Sequence, residues 1–263
     1  MCDCEPMHTG PTRRELLIGA AFAAPTIAAA GAFITNRTPI ANAAVPSVEV
    51  MPGLSIFPRA AWASGQPALG PILREDPKFF LVHHTASPNN YTNPISVLRT
   101  TYRVHTATKG WPDVAYEFFV GNDGQVWEGR TGAMAGPVRA DATGGSQGFA
   151  QLVCLLGDFT SVMPTAVALS SLVKVLAWMG DRYKIDTAPA ARATFVSRGS
   201  NRWAAGTVIT TPTIVPHIAM SQTACPGATF APHVTALATE VEAQRAAWSK
   251  VIRPAVRMKM MNP

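Results

Sequence analysis

Two short runs of continuous apolar residues mark the clearest strands of the chain. The first, FFLVH, occupies residues 79–83, and the second, QLVCLLG, occupies residues 151–157. Runs of this length without polar alternation are typical of strands that are buried on both faces. A third segment, residues 116–130, has the pattern of a β-hairpin, and the Asn-Asp-Gly sequence at residues 122–124 provides its turn. The pattern therefore predicts a sheet whose central strands are covered on both sides.

Helical periodicity separates these strands. Asn93 is placed to cap a first helix with Pro94 in its first turn, and this helix is expected to end at residues 109–110, Lys-Gly. A second helix is predicted over about residues 165–183, and a third begins near Pro232. Strands interleaved with helices predict an α/β fold, in which a mixed central β-sheet is flanked by about three helices in a single domain.

Length and charge narrow the class of protein further. The chain has 263 residues, of which 48% are hydrophobic, so it can bury one sizeable core. Its net charge of +6 favours polyanionic surroundings, which include nucleic acid, anionic lipid and an anionic cell wall. The sequence has no Cys/His finger spacing, no aromatic RNA-binding signature and no basic helix with interleaved base-reading residues. We therefore expect no nucleic-acid partner.

Basic residues crowd the C-terminus, where no acidic residue follows Glu242. They are Arg245, Lys250, Arg253, Arg257 and Lys259. We predict that residues 251–263 form a solvated basic tail, which adds electrostatic adhesion to an anionic cell wall and weakens as salt screens it.

The first 44 residues have the pattern of an export signal. Arg13 and Arg14 precede a weakly apolar, Ala- and Gly-rich stretch over residues 16–34, and the Ala-Asn-Ala sequence at residues 41–43 offers a cleavage site. This resembles a twin-arginine signal, so we expect a secreted, periplasmic or wall-associated protein. The alternative is an uncleaved membrane anchor, which Pro25 and the preference for Ala over Leu disfavour. The main domain would then occupy residues 45–250, with an N-terminal extension.

Two adjacent histidines, His83 and His84, end the first apolar run. Successive side chains of a strand face opposite ways, so only one of the two is expected to serve a given site. His217 is followed eight residues later by Cys225, which precedes a Pro-Gly turn. Two histidine nitrogens and one cysteine sulfur make a plausible catalytic zinc site with a fourth position for water. The His and Cys spacing alone is weak evidence for such a site.

Four motifs, which occur in a fixed order along the chain, strengthen the case for a zinc site. They are LVHHTAS, GWPDVAYEFFVGNDGQVWEGR, QLVCLLGDF and HIAMSQTACPG. Together they resemble the zinc N-acetylmuramoyl-L-alanine amidases, which are related to phage lysozyme-type amidases and peptidoglycan recognition proteins, and the resemblance covers roughly residues 56–242. It implies Zn²⁺ bound by His83, His217 and Cys225, with peptidoglycan as the partner.

The resemblance also implies catalytic and substrate-binding residues. The family's catalytic tyrosine falls on Tyr116, and a second catalytic position falls on Thr223. Substrate contacts are expected from His84, Arg130 and Met134. A tyrosine with a reference pKa near 10 is protonated at neutral pH and can donate to a developing oxyanion. For Thr223 a local hydrogen bond to the backbone of its turn is an equal alternative.

The implied reaction is hydrolysis of the amide between N-acetylmuramic acid and the L-alanine of the stem peptide. Zinc makes it accessible by lowering the pKa of a bound water from about 15.7 to about 7. The alternative function is recognition of peptidoglycan without cleavage, which is disfavoured because non-catalytic relatives typically lack the cysteine that this chain retains at Cys225.

The sequence departs from the family pattern at three places. Met134 stands where relatives often have a histidine, and Cys154 stands where some amidases have a catalytic glutamate. Residues 192–213 are longer than expected, and we favour a solvated loop over a wall of the cleft formed by Arg198, Arg202 and Trp203.

The remaining cysteine and histidine have structural interpretations. Of the four cysteines, Cys2 and Cys4 lie in the predicted signal, and the two that would remain after export first suggest a disulfide. Twin-arginine export implies folding in the reducing cytoplasm, so we expect Cys154 to be buried without a disulfide. His105 continues the apolar stripe of the first helix, which favours a structural role.

Overall fold

The computed structural model describes residues 45–261, with side chains described as far as residue 251. The predicted export signal and its membrane-anchor alternative lie outside these residues. The strands are β1 (Val48–Met51), β2 (Leu54–Phe57), β3 (Phe79–His84), β4 (Phe118–Val120), β5 (Val126–Glu128), β6 (Ala150–Leu155), β7 (Arg192–Val196), β8 (Val208–Pro212) and β9 (Ile214–Pro216). The α-helices are α1 (Pro94–Arg103), α2 (Ala166–Tyr183) and α3 (Leu237–Met261).

A seven-stranded sheet forms the centre of the fold, with strand order β1-β2-β5-β4-β6-β3-β9. β3 pairs in parallel with β6 and β9, whereas β4 and β5 pair antiparallel. Every residue of β3 and β6 is buried, as continuous apolar runs predict. In this register His83 lies beside Cys154, and His84 lies beside Leu155. The predicted mixed central sheet is confirmed.

The predicted hairpin is formed by β4 and β5. The Gly121 amide donates to the Gln125 carbonyl at 2.9 Å, and Asp123 Oδ1 accepts from the Gln125 amide at 3.0 Å. Gly124 has a φ of +79°, which a side chain would strain, and this explains the Asn-Asp-Gly turn.

Two apolar layers cover the two faces of the sheet. Phe80 and Val82 of β3 join the layer formed with α2 and α3, which we call the α2 layer. Phe79 and Leu81 join the opposite layer, formed with α1, which we call the α1 layer. Because neighbouring residues of a strand alternate between faces, the two histidines that end β3 face opposite layers.

The helices begin and end close to the predicted positions, with two differences. Asn93 caps α1 by accepting from the Ser96 amide, and Thr165 caps α2 by accepting from the Ala168 amide. A π-helical turn, Val104–Thr108, extends α1 up to the predicted end. The third helix begins at Leu237, because the segment around Pro232 forms a 3₁₀ turn instead. Within residues 45–261 no helix is both long and apolar enough to cross a lipid bilayer.

Residues 192–213 are ordered as a second small sheet, in which β7 and β8 pair antiparallel. Ala193, Phe195 and Ile209 are buried in the α1 layer, and the Phe195 ring stacks on Phe79 with centroids 5.2 Å apart. The expectation of a solvated loop is therefore wrong. Burial alternates with period two along both strands, as the alternation of polar and apolar residues in Arg192–Val196 could have indicated.

Candidate metal centre

Three buried side chains from distant parts of the chain converge at the end of β3. The potential metal-ligand atoms of His83, His217 and Cys225 all lie within 4.8 Å of one another. Cys225 Sγ is 3.5 Å from His83 Nδ1, and the His83 and His217 ring centroids are 4.2 Å apart. The structure therefore brings together the three residues that the sequence predicts as ligands.

Strand pairing explains this convergence. β9 pairs in parallel with β3, so that Pro216 lies beside Val82. His217 directly follows β9 and consequently lies next to His83. The chain then turns back, and the Ile218 amide donates to the Cys225 carbonyl at 3.0 Å, which returns the cysteine to the same place.

These residues fit a zinc ion. Zn–S and Zn–N bonds of about 2.3 and 2.0–2.1 Å at a tetrahedral angle separate a sulfur and a nitrogen ligand by about 3.5 Å. The distance from Cys225 Sγ to His83 Nδ1 is the same, 3.5 Å. Two imidazoles and a thiolate are also a donor set of catalytic zinc sites, which leave a fourth position for water or substrate.

Backbone groups surround the Cys225 side chain, which is 1% exposed. The His84 amide donates to Cys225 Sγ at 3.4 Å, a contact that complements a negatively charged sulfur. The Cys225 amide in turn donates to Thr223 Oγ1 at 3.2 Å. Thr223 thus makes the local hydrogen bond that the sequence left open as an alternative. Because its oxygen accepts this bond, its hydroxyl proton remains available for donation.

Tyr116 lies in the α1 layer beside the candidate ligands. Its ring centroid is 4.9 Å from that of His83, and its ring packs edge-on against Phe119 at 5.6 Å. The residue is 3% exposed. Packing on several sides therefore holds the ring in one place next to the candidate ligands.

The backbone around Tyr116 is also anchored. The Arg130 amide donates to the Tyr116 carbonyl at 2.8 Å, and Glu117 Oε2 accepts from the Leu152 amide of β6 at 2.6 Å. Burial raises the pKa of Glu117 well above its usual range, and the nearby carboxyl group of Glu75 adds to this effect. Glu117 is a residue that sequence reasoning missed, although a lone charge in the apolar run YEFF is a visible signal.

The side chains of Arg130 and Met134 have partners within the protein. The Arg130 guanidinium donates to the Val114 carbonyl and to the Asp141 carboxylate. Met134 packs against the α2 layer, on the face of the sheet opposite to Tyr116, and its carbonyl accepts from Arg182 at 2.9 Å. The turn after β5 folds Met134 back onto α2, so Met134 is not brought to the candidate centre.

His84 faces the α2 layer, as strand alternation predicts. Its Nδ1 accepts from the Phe159 amide at 3.3 Å and lies 3.9 Å from Asp158 Oδ1. The side chain therefore contacts the segment between β6 and α2, while its backbone amide contacts the cysteine. Cys154 is buried in the α1 layer, and no disulfide joins it to Cys225, as the sequence predicted.

A cavity of about 320 Å³ opens beside Tyr116, between the segment after β3 and helix α1. Its lining includes His105 and Lys109, which sequence reasoning did not assign to the site. His105 also has a structural role, because its Nδ1 accepts from the Ala115 amide at 3.0 Å. The π-helical turn inserts a residue into the helical repeat, so the stripe of α1 alone does not indicate where His105 points.

Comparison with known proteins places these features in a family. The family model described as N-acetylmuramoyl-L-alanine amidase (Amidase_2) matches residues 73–228. A human protein named N-acetylmuramoyl-L-alanine amidase is 36% identical over 139 residues, which cover 50% of this chain and 23% of that protein. The chain thus matches less than a quarter of the length of this human relative.

Solved structures share the fold. The crystal structure of Drosophila peptidoglycan recognition protein SD has a TM-score of 0.53 at 17% identity, covering 68% of this chain and 92% of that chain. The structure of human PGRP-IBETAC in complex with glycosamyl muramyl pentapeptide has a TM-score of 0.50 at 21% identity. The match covers 67% of this chain and 92% of that chain. Since the family model spans more than half of the chain, from residue 73 to residue 228 of 263, and includes the whole candidate centre, this protein belongs to the N-acetylmuramoyl-L-alanine amidase family.

Proposed function

We propose that this protein is a zinc-dependent hydrolase that cleaves the amide bond between N-acetylmuramic acid and the L-alanine of the peptidoglycan stem peptide. The observation that carries the proposal is the buried cluster of His83, His217 and Cys225, with ligand atoms within 4.8 Å of one another, beside Tyr116. Membership of the amidase family supports the same reaction.

In this proposal the three clustered side chains hold Zn²⁺. When bound, the ion polarises the scissile carbonyl and activates a water molecule for attack. Two neutral imidazoles and one thiolate reduce the net charge of the site to about +1, which is less than an all-histidine site would keep. Additional hydrogen-bond donors are therefore needed next to the reacting amide.

Tyr116 and Thr223 are the donors that we assign. The Tyr116 hydroxyl donates to the amide oxygen as that oxygen gains negative charge, and the tightly packed ring needs no rearrangement to do so. The Thr223 hydroxyl is a second donor, held in place by the hydrogen bond from the Cys225 amide. Arg130 and Glu117 act indirectly, because they fix the backbone of Tyr116 and of the strand that follows it.

The cavity beside Tyr116 is where we place the muramyl stem peptide. Its volume of about 320 Å³ lies within the range of ligand-binding clefts, and it adjoins the residue after the β3 histidines. The related human recognition protein, which shares the fold, was solved with glycosamyl muramyl pentapeptide. The ligand class of that protein supports peptidoglycan as the substrate of this one.

We also propose export through residues 1–44 as a twin-arginine signal, with action at the cell wall. The substrate supports this location, because peptidoglycan lies outside the cytoplasm. The backbone of residues 251–261 belongs to α3, so the basic residues there would be presented along a helix.

Incubation of the protein with purified peptidoglycan tests the reaction. We expect mass spectrometry to detect free stem peptides with L-alanine at the N-terminus, together with glycans that carry free lactyl groups. A chelator should abolish both products, and added Zn²⁺ should restore them. Sedimentation of the protein with peptidoglycan without release of either product would instead identify a recognition protein.

Cys225→Ser tests the metal ligands. The substitution replaces a thiolate that zinc binds at about 2.3 Å with a neutral hydroxyl, so zinc content and activity should fall together. Cys154→Ser is the matched control, because it changes the other buried thiol, and His84→Ala changes the side chain on the opposite strand face. Both controls should retain zinc. Full zinc occupancy in Cys225→Ser would remove this residue from the ligand set.

Tyr116→Phe separates the proposed donor from the ligands. The ring packing is kept and one hydroxyl is lost, so zinc should stay bound while turnover falls by about a hundred- to thousandfold, the cost of one oxyanion donor. Tyr183→Phe, in the α2 layer, is the control for loss of a tyrosine hydroxyl and should keep the parental rate. Turnover of Tyr116→Phe at the parental rate would refute the role of this hydroxyl.

Deletion of residues 251–263 tests the basic tail. We expect the shortened protein to bind cell walls more weakly at low salt and to lose part of the salt dependence of binding, because exposed charges act over a screening length of about 10 Å at 0.1 M salt. Co-sedimentation with walls over a series of salt concentrations measures both effects. Identical binding curves for the two proteins would show that the tail has no role in adhesion.

A further inference from the structure

The loop that carries two of the three proposed ligands is hydrogen-bonded at its middle to another segment of the chain. We call residues 217–225 the ligand loop, because His217 and Cys225 lie at its ends. Its ends are joined by the hydrogen bond from the Ile218 amide to the Cys225 carbonyl, and the Met220 amide donates to the His217 carbonyl at 2.9 Å. The carbonyl groups of its central residues point outward and accept hydrogen bonds from another segment.

That segment is the connection between β7 and β8, residues 197–207, which we call the hairpin loop. It contributes three side chains that form hydrogen bonds to backbone groups of the ligand loop. The four hydrogen bonds run from Trp203 Nε1 to the Ala219 carbonyl (3.0 Å), from Ser200 Oγ to the Met220 carbonyl (2.9 Å), from Asn201 Nδ2 to the Gln222 carbonyl (3.1 Å), and from the Gln222 amide to Asn201 Oδ1 (2.8 Å).

The hairpin loop has the rigidity that such a support requires. Ser200 Oγ accepts from the amides of Arg202 and Trp203 at 3.1 and 3.0 Å, so the side chain that contacts the ligand loop also organises its own turn. The Arg198 amide donates to the Gly145 carbonyl at 2.7 Å. Phe195 of β7 stacks on Phe79 of β3, which ties the small sheet to the strand that carries the third ligand.

We propose that Asn201 and Trp203 are positioning residues for the metal centre, which fix the ligand loop and thereby the separation of His217 and Cys225. The inference rests on the proposed zinc site. Asn201 pairs with both the amide and the carbonyl of Gln222, close in sequence to Thr223 and Cys225. Trp203 holds the carbonyl of Ala219, at the other end of the same loop. Together they restrain both halves of the segment between the two ligands.

The physical consequence concerns metal affinity. A tetrahedral site requires its ligands to be held within a few tenths of an ångström, and outer residues that orient ligands typically change metal affinity by about 10- to 100-fold when they are lost. Asn201→Ala removes two hydrogen bonds, and Trp203→Phe removes one while it keeps most of the ring. We expect each to weaken zinc binding by about tenfold, with the larger effect in Asn201→Ala.

Thr194→Ala is the matched control. Thr194 Oγ1 lies 2.9 Å from Thr210 Oγ1 across the same small sheet, so the variant loses a hydrogen bond between β7 and β8 that does not involve the ligand loop. Asn201→Asp is the conservative variant. It keeps an oxygen for the Gln222 amide and loses the donor to the Gln222 carbonyl, so its affinity should lie between those of the parent and Asn201→Ala.

Zinc affinity of the intact protein is measured by competition with a chromophoric chelator. A second measurement replaces zinc with Co²⁺, whose visible spectrum reports the geometry of the ligands. A third measures hydrogen exchange of residues 217–225 in the metal-free protein, which requires neither metal nor substrate. We expect weaker zinc binding, an altered Co²⁺ spectrum and faster exchange in Asn201→Ala and Trp203→Phe, and parental values in Thr194→Ala.

Two results would overturn the proposal. One is parental zinc affinity with an unchanged Co²⁺ spectrum in both Asn201→Ala and Trp203→Phe. The other is an equal loss of affinity in Thr194→Ala, which would indicate general destabilisation of the small sheet. If the parental protein itself binds no zinc, the proposed function fails at its metal site, and the hydrogen-exchange comparison still reports whether the hairpin loop fixes the ligand loop.

Discussion

Side-chain alternation along β3 is the constraint on which the candidate centre depends. The strand is buried on both faces, so each residue must face either the α1 layer or the α2 layer, and the two histidines cannot share a site. His83 faces Tyr116, whereas His84 faces Phe159. Parallel pairing with β9 then delivers His217 to the same end of β3. A shift of one residue in this register would exchange the histidines and separate the ligand from the tyrosine.

The burial of the centre explains why backbone groups of His84 lie against the Cys225 sulfur. A charged sulfur in a dry interior is costly unless polar groups face it, and the His84 amide does so at 3.4 Å. His84 therefore contributes to the centre through its backbone, although its side chain points to the other layer. The two adjacent histidines therefore have different roles: His83 offers its side chain as a candidate ligand, and His84 offers its backbone amide.

Local signals in the sequence predict much of this arrangement. Apolar runs identify β3 and β6, and the Asn-Asp-Gly turn identifies the hairpin. The clustered ligands were predicted from the resemblance of four ordered motifs to the amidase family, because the His-x₇-Cys spacing alone is weak evidence. The failures have physical causes as well. The small β7–β8 sheet has one exposed face, on which Arg192, Thr194 and Thr210 resemble loop residues. Met134 was assigned to substrate contact from its place in a motif, and this assignment stays a prediction, with the side chain packed against the α2 layer. Neither the layer that a turn residue joins nor the register after a π-helical turn is encoded by local periodicity.

The contacts of the hairpin loop could not be predicted for a different reason. Asn201 and Trp203 bind carbonyl and amide groups of the backbone, and every residue offers such groups, so the sequence of the ligand loop carries no mark of its partners. Only the fold reveals that these particular groups meet a donor or acceptor. If the proposed zinc site holds, residues that position a ligand through the backbone of its loop lie outside the four motifs, and substitutions there would alter metal binding without touching a ligand.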